Sequence, residues 1–343
     1  MSNPVTLADV ARHAGVSLAT ASRVLNGSTR VVGEPLRGRV LASATELNYL
    51  ANAAAQAMVR GHLDVVGVVV HDIADPYFST IAAGVMARAD EAGLMVALSS
   101  TSRRPELEAA YVAAIRRQRA RALVVVGSRT TDRQQSEDLR RELTRFEEHG
   151  GRAAMVSQRR LPVDTVAIDN RAGAKALADE LVRLGHRQFA VLAGPSTLLT
   201  ATDRLAGFRQ GLGAHGITLS PECIVPGEFT RDGGYAAMQQ LIESRTGVTC
   251  VFAVNDVMAV GAMSAMRDAG LRLPDDMAVA GFDDIATLRD VAPRLTTVRV
   301  GLDDLGRTAL EMALAAPAAT PRLRRVKCEV VVRESTPPRR RGR

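Results

Sequence analysis

The residues whose types most clearly suggest chemistry share one face of a short helical pattern near the N-terminus. Leu18, Ala19, Ser22 and Arg23 lie on that face, and the apolar side chains of the same segment lie on the other. An exposed arginine can form two hydrogen bonds with guanine in a DNA major groove, and small apolar side chains can contact the thymine methyl group. The hydroxyl and amide side chains that could reach phosphates are Thr6, Thr20, Ser22 and Asn26. On spacing alone, an ordinary helical hairpin with a solvated arginine fits nearly as well.

No residue pattern predicts catalysis. The six histidines include no HExxH motif, and no serine, histidine and acid have a spacing that identifies a nucleophile. The string GLGAHG at 211–216 satisfies GxGxxG, but it follows a helical pattern where a dinucleotide site needs a strand. The cysteines at 223, 250 and 328 are far apart and odd in number, unlike a zinc or redox motif. We therefore predict that the protein is not an enzyme and binds no cofactor or metal.

A helix, a short turn and a second helix must position the N-terminal face. Thr6 is followed three residues later by Asp9, which is the arrangement of a capping box, so the first helix begins at Thr6. Gly15 supplies the backbone freedom that a tight turn needs. Ser17 is a second N-cap, and the helix that it starts reaches about Leu25.

After about residue 60 the pattern changes from all-helical to alternating. Short valine-rich runs, buried on both faces, alternate with helix-length segments, which is typical of doubly wound parallel sheets. The number of predicted strands is larger than a single sheet would hold, so the sequence predicts two lobes that meet near residue 170. The predicted strands are 65–70, 94–98, 123–126, 153–156, 166–168, 189–192, 250–254 and 277–280. The predicted helices are 77–92, 105–118, 171–184, 202–213, 231–243 and 256–269.

Charge and hydropathy narrow the class of protein further. The formal net charge of +7 permits a polyanionic partner without requiring one. No stretch approaches the length of a membrane helix, and the N-terminus lacks an apolar signal region, so we expect a cytoplasmic protein with no membrane partner. Residues 336–343, which include PPRRRGR, are predicted to form a basic disordered tail whose charge could add weakly to DNA affinity.

The segment VTLADVARHAGVSLATASRVLNG, at 5–27, resembles the helix-turn-helix of the lactose-repressor (LacI/GalR) family. The resemblance continues through LNYLANAAAQAM at 47–58, which is similar to the family's hinge helix. Downstream, GVVVHDIADPYFSTIAAGV, LVRLGHRQFAVLAGP, RLAGFRQGL, VFAVNDVMAVGAM and VAGFDD resemble family segments in the family's order.

This resemblance implies a domain organisation. An all-α helix-turn-helix DNA-binding domain would be followed by a hinge helix and by a two-lobed α/β sensor domain, with parallel sheets, like the periplasmic binding proteins. The implied ranges are 1–50 for the DNA-binding domain, 51–62 for the hinge and linker, and 63–335 for the sensor. Within the sensor, the N-lobe takes about 63–169 and 298–325, and the C-lobe about 170–297 and 326–335.

The resemblance also assigns the hinge a role in DNA binding. Residues 52–58 make at most about two turns, and so short a helix is marginal alone in water. The family implies support from the DNA minor groove and from the same segment of a second subunit. Met58 takes the position of a wedge inserted between base steps, and Asn52 is a further candidate DNA contact. The alternative, that Met58 merely packs in a linker, stays open.

The effector is implied to lie in the cleft between the two lobes. Tyr77, Phe78 and Phe229 offer flat apolar faces suited to a sugar or a base, although core packing would also explain them. The implied polar contacts are Arg204, Asn255, Asp169 and Asp283, with Thr200, Ser128 and Ser157 as weaker candidates. Capping would explain any one of these polar residues alone. Ser157 stands where many relatives have an acid, which counts against an ordinary hexose.

Together these features predict a sequence-specific transcriptional regulator, in particular a repressor, that binds double-stranded operator DNA. One reading helix contacts too few bases for useful specificity, so we expect a homodimer on a palindromic site. A small molecule, best described as a sugar or sugar derivative, would control it, and the sequence does not decide between induction and co-repression. The alternative is a two-lobed binding protein or an α/β enzyme with a helical module that does not bind DNA. A transport protein would need an export signal, and an enzyme would need a reactive group in the cleft.

Overall fold

The structure, a computed structural model, describes residues 5–26, 32–49 and 62–339. The chain divides into two compact units, Met1–Leu63 and Asp64–Arg343. Nearly all of the segment predicted to form the hinge, with Asn52 and Met58, lies outside the described residues, as does the side chain of Asn26.

The first unit contains three described helices, α1 (Leu7–His13), α2 (Leu18–Asn26) and α3 (Glu34–Glu46). The predicted capping box is present, because Thr6 Oγ1 accepts a hydrogen bond from the Asp9 amide and Asp9 accepts one from the Thr6 amide. Ser17 Oγ accepts from the Thr20 amide at 3.1 Å, and Gly15 has φ +63° in the turn. The small shared core of the three helices is formed by Val10, Ala11, Ala14, Ala21 and Val40.

The N-lobe of the second unit is built on a six-stranded sheet with the order β11-β5-β4-β3-β1-β2. Its strands are β1 (Leu63–Val70), β2 (Met95–Ser100), β3 (Ala120–Val126), β4 (Arg152–Val156), β5 (Asp164–Ile168) and β11 (Leu323–Val326). The pairs β1–β2, β3–β4, β4–β5 and β5–β11 run parallel. Its helices are α4 (Pro76–Glu91), α5 (Leu107–Arg117), α6 (Arg133–Glu148) and α11 (Leu302–Leu314).

Successive residues of the N-lobe strands enter two separate cores, as burial on both faces predicts. Val66, Val68 and Val70 face one core together with side chains of α4 and α11. Val69 faces the other core, to which α5 and α6 contribute.

The C-lobe is built on a four-stranded parallel sheet with the order β7-β6-β8-β9. Its strands are β6 (Phe189–Ala193), β7 (Ile224–Pro226), β8 (Cys250–Ala253) and β9 (Ala278–Ala280). Its helices are α7 (Asn170–Arg183), α8 (Leu199–Ala214), α9 (Arg231–Glu243) and α10 (Asp256–Asp268), with α7 packed on α8 and α9 on α10. A two-stranded antiparallel ribbon of β10 (Thr297–Arg299) and β12 (Glu329–Val331) lies where the chain passes between the lobes. The predicted helical domain followed by parallel α/β lobes is thereby confirmed.

The predicted disordered tail begins too early. Thr336 is buried, with its hydroxyl 2.7 Å from that of Thr296, and the Arg339 amide donates to the Leu184 carbonyl oxygen. Ser335 donates to the Val279 carbonyl oxygen, beside the edge strand β9. Residues 336–339 are therefore tied to the C-lobe by hydrogen bonds, although their composition suggested disorder. Within the described ranges, none of the helices combines the length and apolarity of a membrane span.

Helices α4 and α11 pack backbone against backbone through glycines. A Cβ atom placed on Gly84 would lie 2.1 Å from the Asp303 carbonyl oxygen, and one on Gly306 would lie 2.0 Å from that of Ile81. Such distances leave no room for a methyl group. Gly213, near the end of α8, has nothing within 4 Å of the same position.

We therefore predict opposite effects for two glycine-to-alanine substitutions. Gly84→Ala should lower the free energy of unfolding by about 1–3 kcal/mol, since the two helices must separate. Gly213→Ala should leave it unchanged or raise it by up to about 1 kcal/mol, since alanine favours helix without a clash. Urea denaturation followed by circular dichroism measures both, and equal effects of the two substitutions would contradict the packing described.

Candidate functional site

A cavity of about 400 Å³ lies between the two lobes of the second unit. The loops that follow β1, β3, β6, β8 and β9 contribute to it, as expected for a site outside the carboxyl ends of parallel strands. Eight of the residues predicted from the sequence line it, namely Tyr77, Phe78, Ser128, Thr200, Arg204, Phe229, Asn255 and Asp283. Their contact with an effector stays a prediction.

Arg204 forms the charged floor of this cavity although its side chain is only 1% exposed. Its guanidinium donates to both carboxylate oxygens of Asp283, at 2.6 and 3.3 Å, and to the Val254 carbonyl oxygen at 2.7 Å. Arg204 Nε donates to Asn170 Oδ1 at 2.8 Å, and Arg204 Cζ lies 3.9 Å from the centre of the Phe282 ring. Of the five guanidinium protons these bonds use four, which leaves one proton on Nη2 outside them.

Asn255 and Asp283, at the C-lobe side of the cavity, are also held by the fold. Asn255 Oδ1 accepts from the Met258 amide at 2.9 Å and thereby caps α10. Asp283 has φ +121°, a conformation that costs energy in a residue other than glycine and that recurs at binding sites. Burial raises the pKa of Asp283 to about 6, although Arg204 works in the opposite direction.

Arg103 joins the two lobes at the cavity wall and was missed in the sequence. It donates to Asp72 at 3.0 Å and to Asp75 at 2.9 Å in its own lobe, and to the Phe229 carbonyl oxygen at 2.9 Å in the other lobe. Asp75 in turn accepts from the Tyr77 amide and so caps α4. The sequence offered one indication of this role, because Arg103 closely follows the carboxyl end of β2.

A second set of hydrogen bonds closes the lobes on the other side of the cavity. The Leu199 amide donates to the Arg129 carbonyl oxygen, and the Thr131 amide to that of Thr197, each at 2.9 Å. The Thr200 amide donates to Ser128 Oγ at 3.1 Å. These hydrogen bonds join the two lobes on this side of the cavity.

Three buried charged or polar side chains of the N-lobe form a network that the sequence analysis did not find. Glu108 accepts from Arg129 Nη1 at 2.9 Å and from Nη2 at 2.7 Å. His71 Nε2 lies 2.9 Å from Glu108 Oε1. Burial favours the neutral acid, but Arg129 and the hydrogen bonds outweigh it and lower the pKa of Glu108 to about 2.

Two residues predicted to contact the effector do not line the cavity. Ser157 donates to the Gly127 carbonyl oxygen at 2.7 Å and accepts from Arg129 Nε at 3.0 Å, so its hydroxyl serves the buried network. Asp169 pairs with Arg325 at 3.1 Å and lies outside the residues of the cavity wall. The neighbouring Asn170, which is the first residue of α7, contacts Arg204 instead of Asp169.

The first unit presents the face predicted for DNA. Leu18 is 54% exposed, and Ala19 and Arg23 are exposed as well, while Ala21 of the same helix is fully buried. Thr6 and Thr20 have hydroxyls already engaged, with Asp9 and Ser17 respectively. Ser22 is partly buried. The contacts of these residues with bases and phosphates stay predictions.

In the described part of the chain, no group of three or more histidine, cysteine, aspartate or glutamate side chains is placed to hold a metal ion.

Comparison with known proteins gives consistent matches over almost the whole chain. Residues 6–52 match the model of the bacterial regulatory proteins, lacI family, and residues 178–336 match a periplasmic binding protein-like domain. The chain is 35% identical to the HTH-type transcriptional regulator GalS of Salmonella typhimurium over 319 residues, which are 92% of this chain and 91% of GalS.

Solved structures that are similar to nearly the whole chain include two complexes. The Lac repressor dimer bound to operator and the anti-inducer ONPF has a TM-score of 0.83 and 30% identity, with 98% of this chain and 100% of that chain covered. The complex of the transcriptional regulator CelR with cellobiose has a TM-score of 0.70 and 28% identity, with 96% and 99% covered.

The buried Asp256, beside the cavity floor, makes stability depend on pH. Its carboxylate accepts from Thr297 Oγ1 at 2.6 Å and from the Ile285 amide at 3.0 Å. Burial, and then the charge of Asp283, raise its pKa from 3.8 to about 7. The folded state therefore holds a proton that the unfolded chain releases above about pH 4, so this contribution to stability is lost as the pH rises to about 7.

We predict that the free energy of unfolding of the wild type, relative to Asp256→Asn, falls by a few kcal/mol between about pH 4 and pH 7. The asparagine does not titrate and supplies the reference. Urea titrations at several pH values measure the difference, and Asp290→Asn, at an exposed position, should keep the wild-type slope. A wild-type slope in Asp256→Asn would contradict the prediction.

Proposed function

The chain belongs to the LacI family of bacterial regulatory proteins, and on that basis we propose that it is a ligand-responsive transcriptional repressor. It binds a palindromic operator as a homodimer, and a small molecule in the cleft of the second unit controls that binding. Because operator DNA lies in the bacterial cytoplasm, the protein acts there.

The observation that carries the proposal is the exposed face of α2. A recognition helix must offer side chains to base edges while its other face is fixed to its own domain. Leu18, Ala19 and Arg23 are exposed, whereas Ala21 is buried against the core that α1 and α3 share. Asn26, Asn52 and Met58 complete the proposed DNA contacts, the last two in the minor groove.

The charges around the cavity favour an uncharged polar effector. Arg204 is paired with Asp283, and Arg103 with Asp75, so neither guanidinium is free to neutralise a phosphate. Glu228 adds a further acid to the wall. Together with the flat faces of the aromatic residues, this set fits hydroxyl groups and ring carbons, which are the groups of a sugar or sugar derivative. The CelR complex with cellobiose is consistent with that class.

The N-lobe offers a surface suited to a second copy of the chain. Strand β2 lies at the edge of the six-stranded sheet, and its Met95 is 74% exposed, with Leu98 exposed as well. Met86 is exposed on α4, the helix that packs against β2. Exposed apolar side chains at a sheet edge are a liability unless a partner covers them. The dimer interface is therefore proposed to include this edge.

The DNA reading is tested with Arg23→Ala. A half-site selected from random DNA should lose about 1–3 kcal/mol of binding free energy, confined to the base pair that Arg23 contacts. Fluorescence anisotropy titrations with the selected operator and its single-base variants measure the loss. Arg12→Ala, which removes an exposed arginine of α1 paired with Asp9, is the control and should not change base preference. Equal losses on every DNA sequence for Arg23→Ala would refute the proposal that this helix reads bases.

The interface is tested with Met95→Lys. A lysine in place of an apolar residue should raise the dissociation constant of the dimer about tenfold or more, because a charge would have to be buried. Sedimentation equilibrium measures it. Val332→Lys places the same charge at another exposed apolar residue and should leave the dimer intact. A wild-type dimer in Met95→Lys would exclude this edge from the interface.

A further inference from the structure

His71 is held at the cavity wall by the buried Glu108, which is itself held by the buried Arg129. Its Nε2 edge faces Glu108, and both oxygens of Glu108 accept hydrogen bonds from Arg129. Each of the three side chains is about nine-tenths buried or more. Gly127 closes the space behind the ring, since a Cβ atom there would lie 2.3 Å from His71 Nε2. The ring is therefore fixed in place and in orientation.

This arrangement decides which nitrogen of the ring carries the proton. Glu108 is ionised, because the Arg129 guanidinium neutralises it at close range. An ionised carboxylate can only accept hydrogen bonds, so His71 Nε2 must donate. In a neutral imidazole the other nitrogen, Nδ1, then has a free lone pair. Among the described residues, none donates a hydrogen bond to Nδ1.

We propose that His71 is a specificity-determining residue of the cleft, whose Nδ1 accepts a hydrogen bond from a hydroxyl or N–H group of the effector. Glu108 and Arg129 are positioning residues, which fix the ring and its tautomer without touching the ligand. The inference rests on the proposed function, because it requires that the cleft binds a small polar molecule.

Arg129 also links this contact to the closure of the lobes. Its backbone carbonyl accepts from the Leu199 amide of the C-lobe, and its amide donates to Gln158 Oε1 at 2.8 Å. Gln158 Nε2 donates to Thr200 Oγ1 of the C-lobe at 2.7 Å. Arg129, which orients Glu108, is therefore held in part by hydrogen bonds that involve the C-lobe. If the lobes separated, these hydrogen bonds to the C-lobe would be lost.

The tautomer is tested without any ligand. The full-length protein, labelled with ¹⁵N at its six histidines, is studied by long-range ¹H–¹⁵N correlation spectroscopy at neutral pH. The signal that disappears in His71→Gln belongs to His71. We expect an unprotonated Nδ1 and a protonated Nε2, and in Glu108→Gln a mixture of tautomers, since an amide can donate or accept. A protonated Nδ1 in the wild type would overturn the proposal.

Ligand recognition is tested with His71→Gln and His71→Asn. Each substitution replaces only one of the two ring nitrogens with a polar group. Glutamine can still reach Glu108 but lacks a group at Nδ1, whereas asparagine places an oxygen near Nδ1. The probes are glucose, galactose, ribose and cellobiose, each compared with its singly deoxygenated counterparts by thermal shift and calorimetry. For a sugar that binds the wild type, His71→Gln should lower the affinity for that sugar about tenfold. The variant should also bind one deoxy counterpart with the same affinity as the parent sugar. His71→Asn should retain part of the preference.

The control is His215→Gln, the same substitution at an exposed histidine paired with Asp179 on the C-lobe surface, which should bind every probe as the wild type does. Circular dichroism confirms that each variant is folded. If His71→Gln keeps the wild-type preference for every sugar over its deoxy forms, this inference fails and the proposed function stands. If no probe binds the wild type, the proposed sugar effector fails, and the inference that rests on it fails with it.

Discussion

Arg204 carries a full charge at a position with almost no exposure to water, and the C-lobe side of the cleft is organised around satisfying it. An unpaired buried charge would cost several kcal/mol, so its partners must be in place before the lobe is stable. Those partners come from separate parts of the chain: Asp283 after β9, the Val254 carbonyl after β8, and Asn170 at the start of α7. One side chain on α8 thus fixes the relative positions of two strand ends and a helix end. The result is a rigid floor beneath the cavity.

The contacts between the lobes have a different character from the contacts within each lobe. Each sheet is covered by apolar side chains of its own helices, whereas the faces that meet at the cavity are joined largely by hydrogen bonds, including those of Arg103 and Leu199. A hydrogen bond exchanged with water contributes only about 0.5–1.5 kcal/mol net, so the bonds across the cavity can be replaced by bonds to water at small cost. This is the condition for a hinge motion that a ligand can bias.

The sequence predicts the parts of this structure that depend on local patterns. The cap at Thr6, the turn at Gly15 and the strands buried on both faces follow from neighbouring residues, and they are present. Helix α6 has no predicted counterpart, because its sequence is strongly polar and buries only a narrow stripe that includes Leu139 and Phe146. Strands β7, β10, β11 and β12, of three or four residues each, and helix α11 likewise have no predicted counterpart.

The residues of the cleft likewise divide into those that the sequence predicts and those that only the fold brings together. Arg204, Asn255 and Asp283 could be assigned because they match the family position by position. His71, Glu108 and Arg129 are separated by tens of residues and become neighbours only because β1 and β3 are adjacent in the sheet and α5 packs across them. No spacing rule connects them, so their pairing had to be seen in the fold. Ser157 shows the converse: its position suggested a ligand contact, but Arg129 already uses its hydroxyl. A cleft that holds its own arginines and acids in internal pairs must select its ligand through the few groups left over. Among the described residues these groups include one Arg204 proton, the proposed His71 lone pair, the Glu228 carboxylate and the aromatic faces.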